Sequence, residues 1–409
     1  MENMSNMAIA IVSDKGRKSL QGGHPWVYED EVLQLQGTIE DGDLITIRSL
    51  KNKFLGTGFF NSKSKIRIRC ISRNANDTFD EAFYTRRIRH ALDYRKTVMG
   101  NDYNNCRLIF GEADFFPGLT VDRFNNLLVT QTLSLGIEKI KHQIFLILLR
   151  ELENDGEIIH GIYERNDVAI RKLEGMEENK GWFECSEYPT HPDSAVTDIV
   201  ENGITYHIDV ENGQKTGFFL DQKYNRQAIA KLAKDKTVLD CFTHTGSFGL
   251  NAAKGGAKHV LSLDISQTAI DQASEHARLN HLDNVSYKCC DVFDYLDELI
   301  DSHSKEFDFI ILDPPAFTKS RQTVENATNG YQQINSKAMR LLPRGGYLAT
   351  CSCSHFMNEG LFKRMLHDSA DTANVQLRQI AVYQQGPDHP ILWNVNETNY
   401  LKFFIFQIV

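Results

Sequence analysis

The sequence predicts a multi-domain protein: a small β-rich barrel at the front, an α+β domain in the middle and a doubly wound α/β domain at the back. Three observations carry this. The chain has 409 residues, well beyond the roughly 150 of a typical domain. Short strands with apolar–polar alternation dominate the first 75 or so residues. Beyond about residue 190, apolar runs alternate with helical patterns, the signature of parallel strands joined by right-handed crossovers. The expected domains are 1–75, 76–188 and 189–409. A composition of 41% hydrophobic and 24% charged residues excludes a disordered or fibrous chain. No apolar run approaches the roughly 20 residues of a membrane span, and the first 15 residues lack the layout of a signal peptide. A cytoplasmic protein with no membrane partner is expected. The eight cysteines include no Cys-x-x-Cys pair, so reduced thiols are expected, and no metal.

In the front domain, strands are predicted over 44–48, 54–60 and 65–70. Period-two alternation turns Ile66 and Ile68 inward and makes Lys63, Lys65, Arg67 and Arg69 one basic stripe, a surface for a phosphate backbone or a charge-protected edge. Residues 51–96 hold twelve Lys or Arg against four Asp or Glu, while the whole chain carries a formal charge of -9. The acidic average therefore does not exclude a nucleic-acid partner. A helix is predicted over 80–98, with Phe83, Ile88, Leu92 and Tyr94 on one side and Arg86, Arg87, Arg89, Arg95 and Lys96 exposed. Strands follow at 107–110, 119–121 and 127–133, then an amphipathic helix over 137–153. Asp122 and Arg123 read as a turn ion pair.

In the last domain, near-continuous apolar strands at 237–242, 259–263, 285–288, 307–312 and 347–351 imply a sheet covered on both faces. Ligands then bind at the carboxyl ends of its strands. The first strand runs into Asp240-Cys241-Phe242-Thr243-His244-Thr245-Gly246-Ser247-Phe248-Gly249. This is not the three-glycine dinucleotide turn; an acidic tip and small residues suit a cation without phosphates, such as the amino-acid part of S-adenosylmethionine. The second strand ends in Asp264-Ile265, placing a carboxylate for two ribose hydroxyls. After the third, Asp291 stands to accept from an adenine amino group, with Val292 or Phe293 on the ring; a plain helix cap is the other reading of Asp291.

Asp240 to Gly249, Asp264, Asp291 and Asp313-Pro314-Pro315-Ala316-Phe317 resemble the successive motifs of class I S-adenosylmethionine-dependent methyltransferases. His24-Pro25-Trp26-Val27, Gly56-Thr57-Gly58-Phe59-Phe60-Asn61, Pro117-Gly118-Leu119-Thr120-Val121-Asp122-Arg123 and Gln214-Lys215-Thr216-Gly217-Phe218-Phe219-Leu220-Asp221-Gln222 are similar to one bacterial branch over essentially the full length. That branch comprises large-subunit (23S) ribosomal RNA cytosine-C5 methyltransferases with a PUA domain, a central strand-strand-helix-strand-strand domain and a Rossmann-like catalytic domain. The resemblance implies S-adenosylmethionine as cofactor, with contacts from Thr216, Phe219, Asp221, Asp240, Phe242, Thr243, Gly246, Ser247, Phe248, Asp264, Ile265, Asp291, Val292 and Asp313. It implies ribosomal RNA, naked or partly assembled into the large subunit, as partner, and a homodimer is possible.

The fifth strand carries Thr350-Cys351-Ser352-Cys353-Ser354-His355 to the same edge. Carbon 5 of cytosine is not nucleophilic, so its methylation needs prior attack on carbon 6, for which a thiolate suits. The family's Ser-Cys-Ser motif maps onto Cys353 as nucleophile, with Cys351 one repeat deeper on the same side as the competing choice. Asp313 stands to protonate ring nitrogen three, and Phe317 or Trp393 to stack on a flipped base. A buried strand cysteine is the bland reading. Other RNA cytosine methyltransferases carry a second cysteine after the Pro-Pro turn; here Ala316 follows, and no general base is evident. The rival functions are methylation of a guanine nitrogen and a non-catalytic RNA-binding assembly factor.

Overall fold

The computed structural model describes residues 7–187, 191–318 and 323–409. The chain divides into two compact units: residues 1–199, 207–220 and 387–398 form the first, and 200–206, 221–386 and 399–409 the second. Segments 207–220 and 387–398 were expected in the last domain. Polar anchors place them in the first unit instead: Arg165 donates to the carbonyls of Val210 (2.7 Å) and Gly213 (2.8 Å). The Asp388 carboxylate accepts from the Arg107 amide (2.9 Å), and its carbonyl from Arg95 (2.9 Å). Such contacts have no periodicity, which is why they are silent in the sequence.

The first unit opens with a six-stranded sheet of β1 (Ile9–Val12), β2 (Trp26–Val27), β3 (Val32–Gln36), β4 (Leu44–Ser49), β5 (Phe54–Phe60) and β6 (Ile68–Ser72), in the order β2-β6-β5-β4-β1-β3. Helix α1 (Asp14–Gln21) is capped by Ser13, whose hydroxyl accepts from the Gly16 amide. Ala10, Val12, Leu20, Ile45, Ile47 and Ile68 form its core. The expected basic stripe does not form. Strand β6 begins at Ile68, so Lys65 and Arg67 precede it. Arg67 pairs with Glu29 (3.2 Å), and Arg69, 9% exposed, lies between Glu174 (2.7 Å) and Glu112 (3.6 Å). A guanidinium removed from water needs a carboxylate, and the fold consumes this charge internally.

Helix α2 (Glu81–Met99) follows, then β7 (Asn105–Phe110), β8 (Leu119–Phe124), β9 (Leu127–Thr132), α3 (Leu135–Asn154), β10 (Gly161–Asn166), the short α4 (Ile170–Leu173) and β11 (Asn179–Trp182). Their sheet has the order β11-β10-β9-β8-β7, parallel only where α3 joins β9 to β10. The exposed arginine face expected on α2 reduces largely to Arg86. Arg95 is fully buried and grips Asp114 with two bonds (2.6 and 2.7 Å); Arg89 and Lys96 both pair with Asp155. Tyr94, expected on the apolar side, is exposed. Asp122 and Arg123 do not pair with each other: Asp122 takes both N–H groups of Arg107 (2.7 and 2.8 Å) and Arg123 pairs with Glu157 (2.6 Å). Burial would raise the Asp122 pKa, but Arg107 outweighs it and holds the carboxyl below its ordinary value.

A hairpin of β12 (Val196–Glu201) and β13 (Ile204–Asp209) leads to α5 (Lys223–Leu232). The second unit then alternates β14 (Thr237–Cys241), α6 (Ser247–Lys254), β15 (His259–Asp264), α7 (Gln267–Leu279), β16 (Val285–Cys289), α8 (Val292–Asp301), β17 (Phe309–Leu312), α9 (Val324–Leu341), β18 (Tyr347–Ser352), α10 (Glu359–Ala373), β19 (Leu377–Tyr383) and β20 (Lys402–Ile408). The seven strands run β16-β15-β14-β17-β18-β20-β19. The five expected strands pair in parallel, and β20 inserts antiparallel between β18 and β19. Strand order reverses between β14 and β17, which opens a crevice at their carboxyl ends.

One buried pair secures the entry to this unit. Glu201 and Arg226, each 1% exposed, share two bonds of 2.6 and 2.8 Å. Glu201→Ala strands a guanidinium in the interior, so it is expected to destabilise the protein by about 3–5 kcal/mol. Urea unfolding measures this; a loss below about 1 kcal/mol contradicts the account.

Candidate active site at the strand ends

Register alone assembles the site. Cys241 pairs with Leu263 on one side and Leu312 on the other, and Asp264 pairs with Cys289. Asp240, Asp264, Asp291 and Asp313 therefore reach one edge of the sheet. The turn after β14 holds Phe242, His244 and Gly246 at φ of 63°, 51° and 87°. Two of these are not glycine, and strain of that kind persists only where the surroundings over-determine it.

Asp240 provides that over-determination. Its side chain is fully buried, and Oδ2 accepts from the Thr243 hydroxyl (2.5 Å), the Gly249 amide (2.8 Å) and the Ser262 hydroxyl (3.4 Å). A Cβ on Gly249 would stand 2.4 Å from the Ser262 Oγ, so only glycine lets α6 approach β15 here. Oδ1 has no partner among the described residues. Burial pushes the Asp240 carboxyl up to about 7, against the hydrogen bonds from Thr243 and Gly249. An acid whose folded pKa exceeds its unfolded value of about 4 stabilises the fold fully below about pH 4 and loses that contribution as pH rises through about 7. Asp240→Asn keeps one acceptor oxygen and removes the titration. The wild type is expected to lose more stability than the variant between pH 5 and pH 8 in denaturant titrations. Equal slopes refute the assignment.

Asp264 is half-buried; its two oxygens accept from the His244 and Ser266 amides, each at 2.9 Å. Each oxygen keeps a further lone pair for a ligand. Ile265 beside it is 73% exposed, an apolar surface next to the carboxylate. Asp291 is exposed and caps α8, accepting from the Phe293 (2.7 Å) and Asp294 (3.4 Å) amides. Val292, 3% exposed, packs into the core through the first turn of α8, and Phe293 is half-buried. Phe248 is also core, stacked on Phe403 with ring centroids 5.7 Å apart. Ser247 and Phe242 are half-buried, and Thr243 is buried under the turn.

Thr216 and Phe219 belong to the first unit: Thr216 is buried and donates to Asp122 (2.6 Å), and the Lys215 ammonium lies 4.7 Å from the Phe219 ring centre. Asp221 lies in the second unit, 7% exposed, and accepts from the Tyr400 hydroxyl (2.6 Å).

At the end of β18, Cys351 is fully buried and its thiol donates to Asp313 Oδ1 (2.8 Å). Burial and the Asp313 charge push that thiol well above its ordinary pKa. Cys353, one residue past the strand, is half-buried. Ser352 donates to the Tyr331 hydroxyl (3.0 Å) and Ser354 to the Thr318 carbonyl (3.1 Å). Phe317 packs on Tyr331, centroids 4.6 Å apart, whereas Trp393 is 91% exposed and lies in the first unit.

Residues 183–406, more than half of the chain, match a model of S-adenosylmethionine-dependent methyltransferases, and residues 10–73 match a PUA-like domain. The chain belongs to the S-adenosylmethionine-dependent methyltransferase family. This methyltransferase is 38% identical over 407 residues to the ribosomal RNA large subunit methyltransferase I of Aliivibrio fischeri (strain MJ11), covering 98% of this chain and 100% of that one. It is 40% identical over 405 residues to the protein of that name from Aeromonas salmonicida (strain A449), with the same coverage. A solved Streptococcus mutans chain assigned to the SAM-dependent methyltransferases superposes with a TM-score of 0.82 at 23% identity, covering 98% and 100% of the two chains, a likeness of fold.

S-adenosylmethionine is the cofactor of this methyltransferase, and its residues fit that group. Asp264 offers two oxygens to a diol beside the exposed apolar Ile265, and the strained turn ends over a buried carboxylate with one partnerless oxygen. Sequence reasoning missed Gln222, whose amide donates to Asp313 Oδ1 (3.3 Å) and reaches Cys351 Sγ at 3.6 Å. It also missed Lys402; the signal was a lone charge heading the apolar run Phe403-Phe404-Ile405-Phe406. A metal-type grouping absent from the expectation lies in the first unit: donor atoms of His142, Cys185 and Glu187 within 4.8 Å of one another. Among the described residues no helix is long and apolar enough to cross a membrane.

Proposed function

We propose that this methyltransferase forms 5-methylcytosine in large-subunit ribosomal RNA through a covalent adduct of Cys353. The observation that carries the reading is the strand end itself. Parallel register sets Leu312 against Thr350, so Asp313 stands level with Cys351, and Cys353 is the next thiol towards the open edge. Cys351, fully buried with its proton held against Asp313, is out of reach of a base; Cys353 is half-buried. The relatives, ribosomal RNA large subunit methyltransferases I, supply the RNA class. Asp264, Ile265 and the 242–246 turn hold the cofactor's ribose and base, while Asp291 orders α8 beside them.

In this reading the Cys353 thiolate bonds to carbon 6 of cytosine as Asp313, in its protonated form, gives a proton to nitrogen three. Bound S-adenosylmethionine supplies an electrophilic methyl group for carbon 5. Water takes the carbon-5 proton as the carbon 6–sulfur bond breaks and Cys353 leaves as thiolate, and nitrogen three returns its proton to Asp313. A base stacked within folded RNA cannot reach a strand-end pocket, so the substrate is naked or partly assembled RNA with the target flipped out.

The test is transfer of labelled methyl groups to ribosomal RNA from a strain lacking the gene, followed by digestion to nucleosides. Label co-eluting with 5-methylcytidine is expected. Label on a methylguanosine favours the nitrogen-directed alternative, and absence of transfer favours a non-catalytic RNA-binding role.

A further inference from the structure

Lys402 opens β20, and the antiparallel register sets it opposite Ser352, the residue before Cys353. It is 5% exposed. A buried lysine is ordinarily paired with a carboxylate. Among the described residues Lys402 forms no such pair: its ammonium donates to the carbonyls of Ser354 (2.6 Å) and Tyr400 (2.8 Å). Ser354 follows Cys353, so register and hydrogen bonding tie the cation to both chain neighbours of that thiol. An ammonium has three N–H groups, and two carbonyls leave one for a further acceptor.

The titratable groups acting on Lys402 are Cys353, Cys351 and Glu359, and burial lowers its pKa to about 8. Cys351 is already committed to Asp313. Tyr331, also facing the two thiols, is held in its protonated form by burial. Glu359 is paired with Lys363 (2.5 Å). The further anion that forms beside Lys402 is therefore the thiolate of Cys353, and each charge offsets the desolvation of the other.

We propose that Lys402 is the positioning residue that stabilises the Cys353 thiolate and so generates the nucleophile near neutral pH. This rests on the reading of Cys353 as nucleophile. It also answers what the sequence left without a source, namely how a thiol of ordinary pKa near 8.5 becomes reactive.

The test is the pH dependence of Cys353 alkylation by iodoacetamide in the full-length protein, followed by mass spectrometry of the peptide that contains it. The wild-type midpoint is expected below about 8.5. Lys402→Met is expected to raise it by about one unit or more, which is about tenfold slower alkylation at pH 7, while Lys402→Arg restores it. Methyl-transfer kcat falls in parallel, with KM for S-adenosylmethionine unchanged. A wild-type midpoint at or above about 8.5 overturns the proposal without any variant, and so does an unshifted midpoint in folded Lys402→Met. If Cys353→Ala still methylates RNA, the nucleophile reading fails, while the alkylation midpoints still decide the charge pairing.

Discussion

Replacing Cys353 with Ala is expected to lower carbon-5 methylation by on the order of 10⁴-fold or more, the scale seen when a covalent nucleophile is removed. Cofactor affinity should change less than about twofold, because the ribose and base contacts assigned to Asp264 and Ile265 lie at the end of β15, three strands away from β18 in the order β15-β14-β17-β18. Cys351→Ala is the informative companion. Cys351 is in the sheet core, and truncating it frees Asp313 Oδ1 of one donor, so a modest loss of stability and of rate is expected while turnover persists. Should Cys351→Ala abolish turnover and Cys353→Ala spare it, the two thiols exchange roles. If neither matters, the methyl group goes to nitrogen. Isotope-labelled transfer with nucleoside analysis reads all of these from one preparation.

The five parallel strands were legible because burial on both faces forces them to be apolar throughout, as in Phe309-Ile310-Ile311-Leu312, and because they alternate with helical patterns. Their acidic ends were legible because a carboxylate at successive strand tips has a chemical purpose. What escaped was of two kinds. Strand β19 has little buried surface in Leu377–Tyr383, so it lacks the apolar run that marked the parallel strands; β20 does carry such a run but went unassigned, because nothing local shows that it returns antiparallel between β18 and β19. The second kind is charge compensation. Arg69 and Arg95 look like a nucleic-acid surface when their partners Glu174 and Asp114 are 105 and 19 residues away. Alternation says which way a side chain points and nothing about which carboxylate waits there. Burial is equally silent in the sequence: the Asp240 side chain lies beneath the turn that it shapes, with Oδ1 left without a partner among the described residues.

Asp313 is the second residue at which a large effect is expected. Its Oδ1 already accepts from the Cys351 thiol and the Gln222 amide, and Gln222 is in turn fixed by Asn225, which donates to its Oε1 at 2.6 Å. The carboxyl group is thus oriented by three residues before any substrate arrives. A positioned acid contributes about 10²–10⁴-fold, so Asp313→Ala is expected to cost about that factor in kcat. Asp313→Asn should fall between Ala and wild type, because an amide N–H can hydrogen-bond nitrogen three but cannot give up its proton. Addition of Cys353 to carbon 6 needs that proton transfer. Adduct accumulation on RNA carrying 5-fluorocytosine, which blocks loss of the carbon-5 substituent, should therefore slow in the same order as turnover. Were the adduct to form at the wild-type rate in Asp313→Ala while turnover fell, Asp313 would act after addition, in release of the thiol. The three rates, measured on gels that resolve RNA-bound from free protein, separate the two roles.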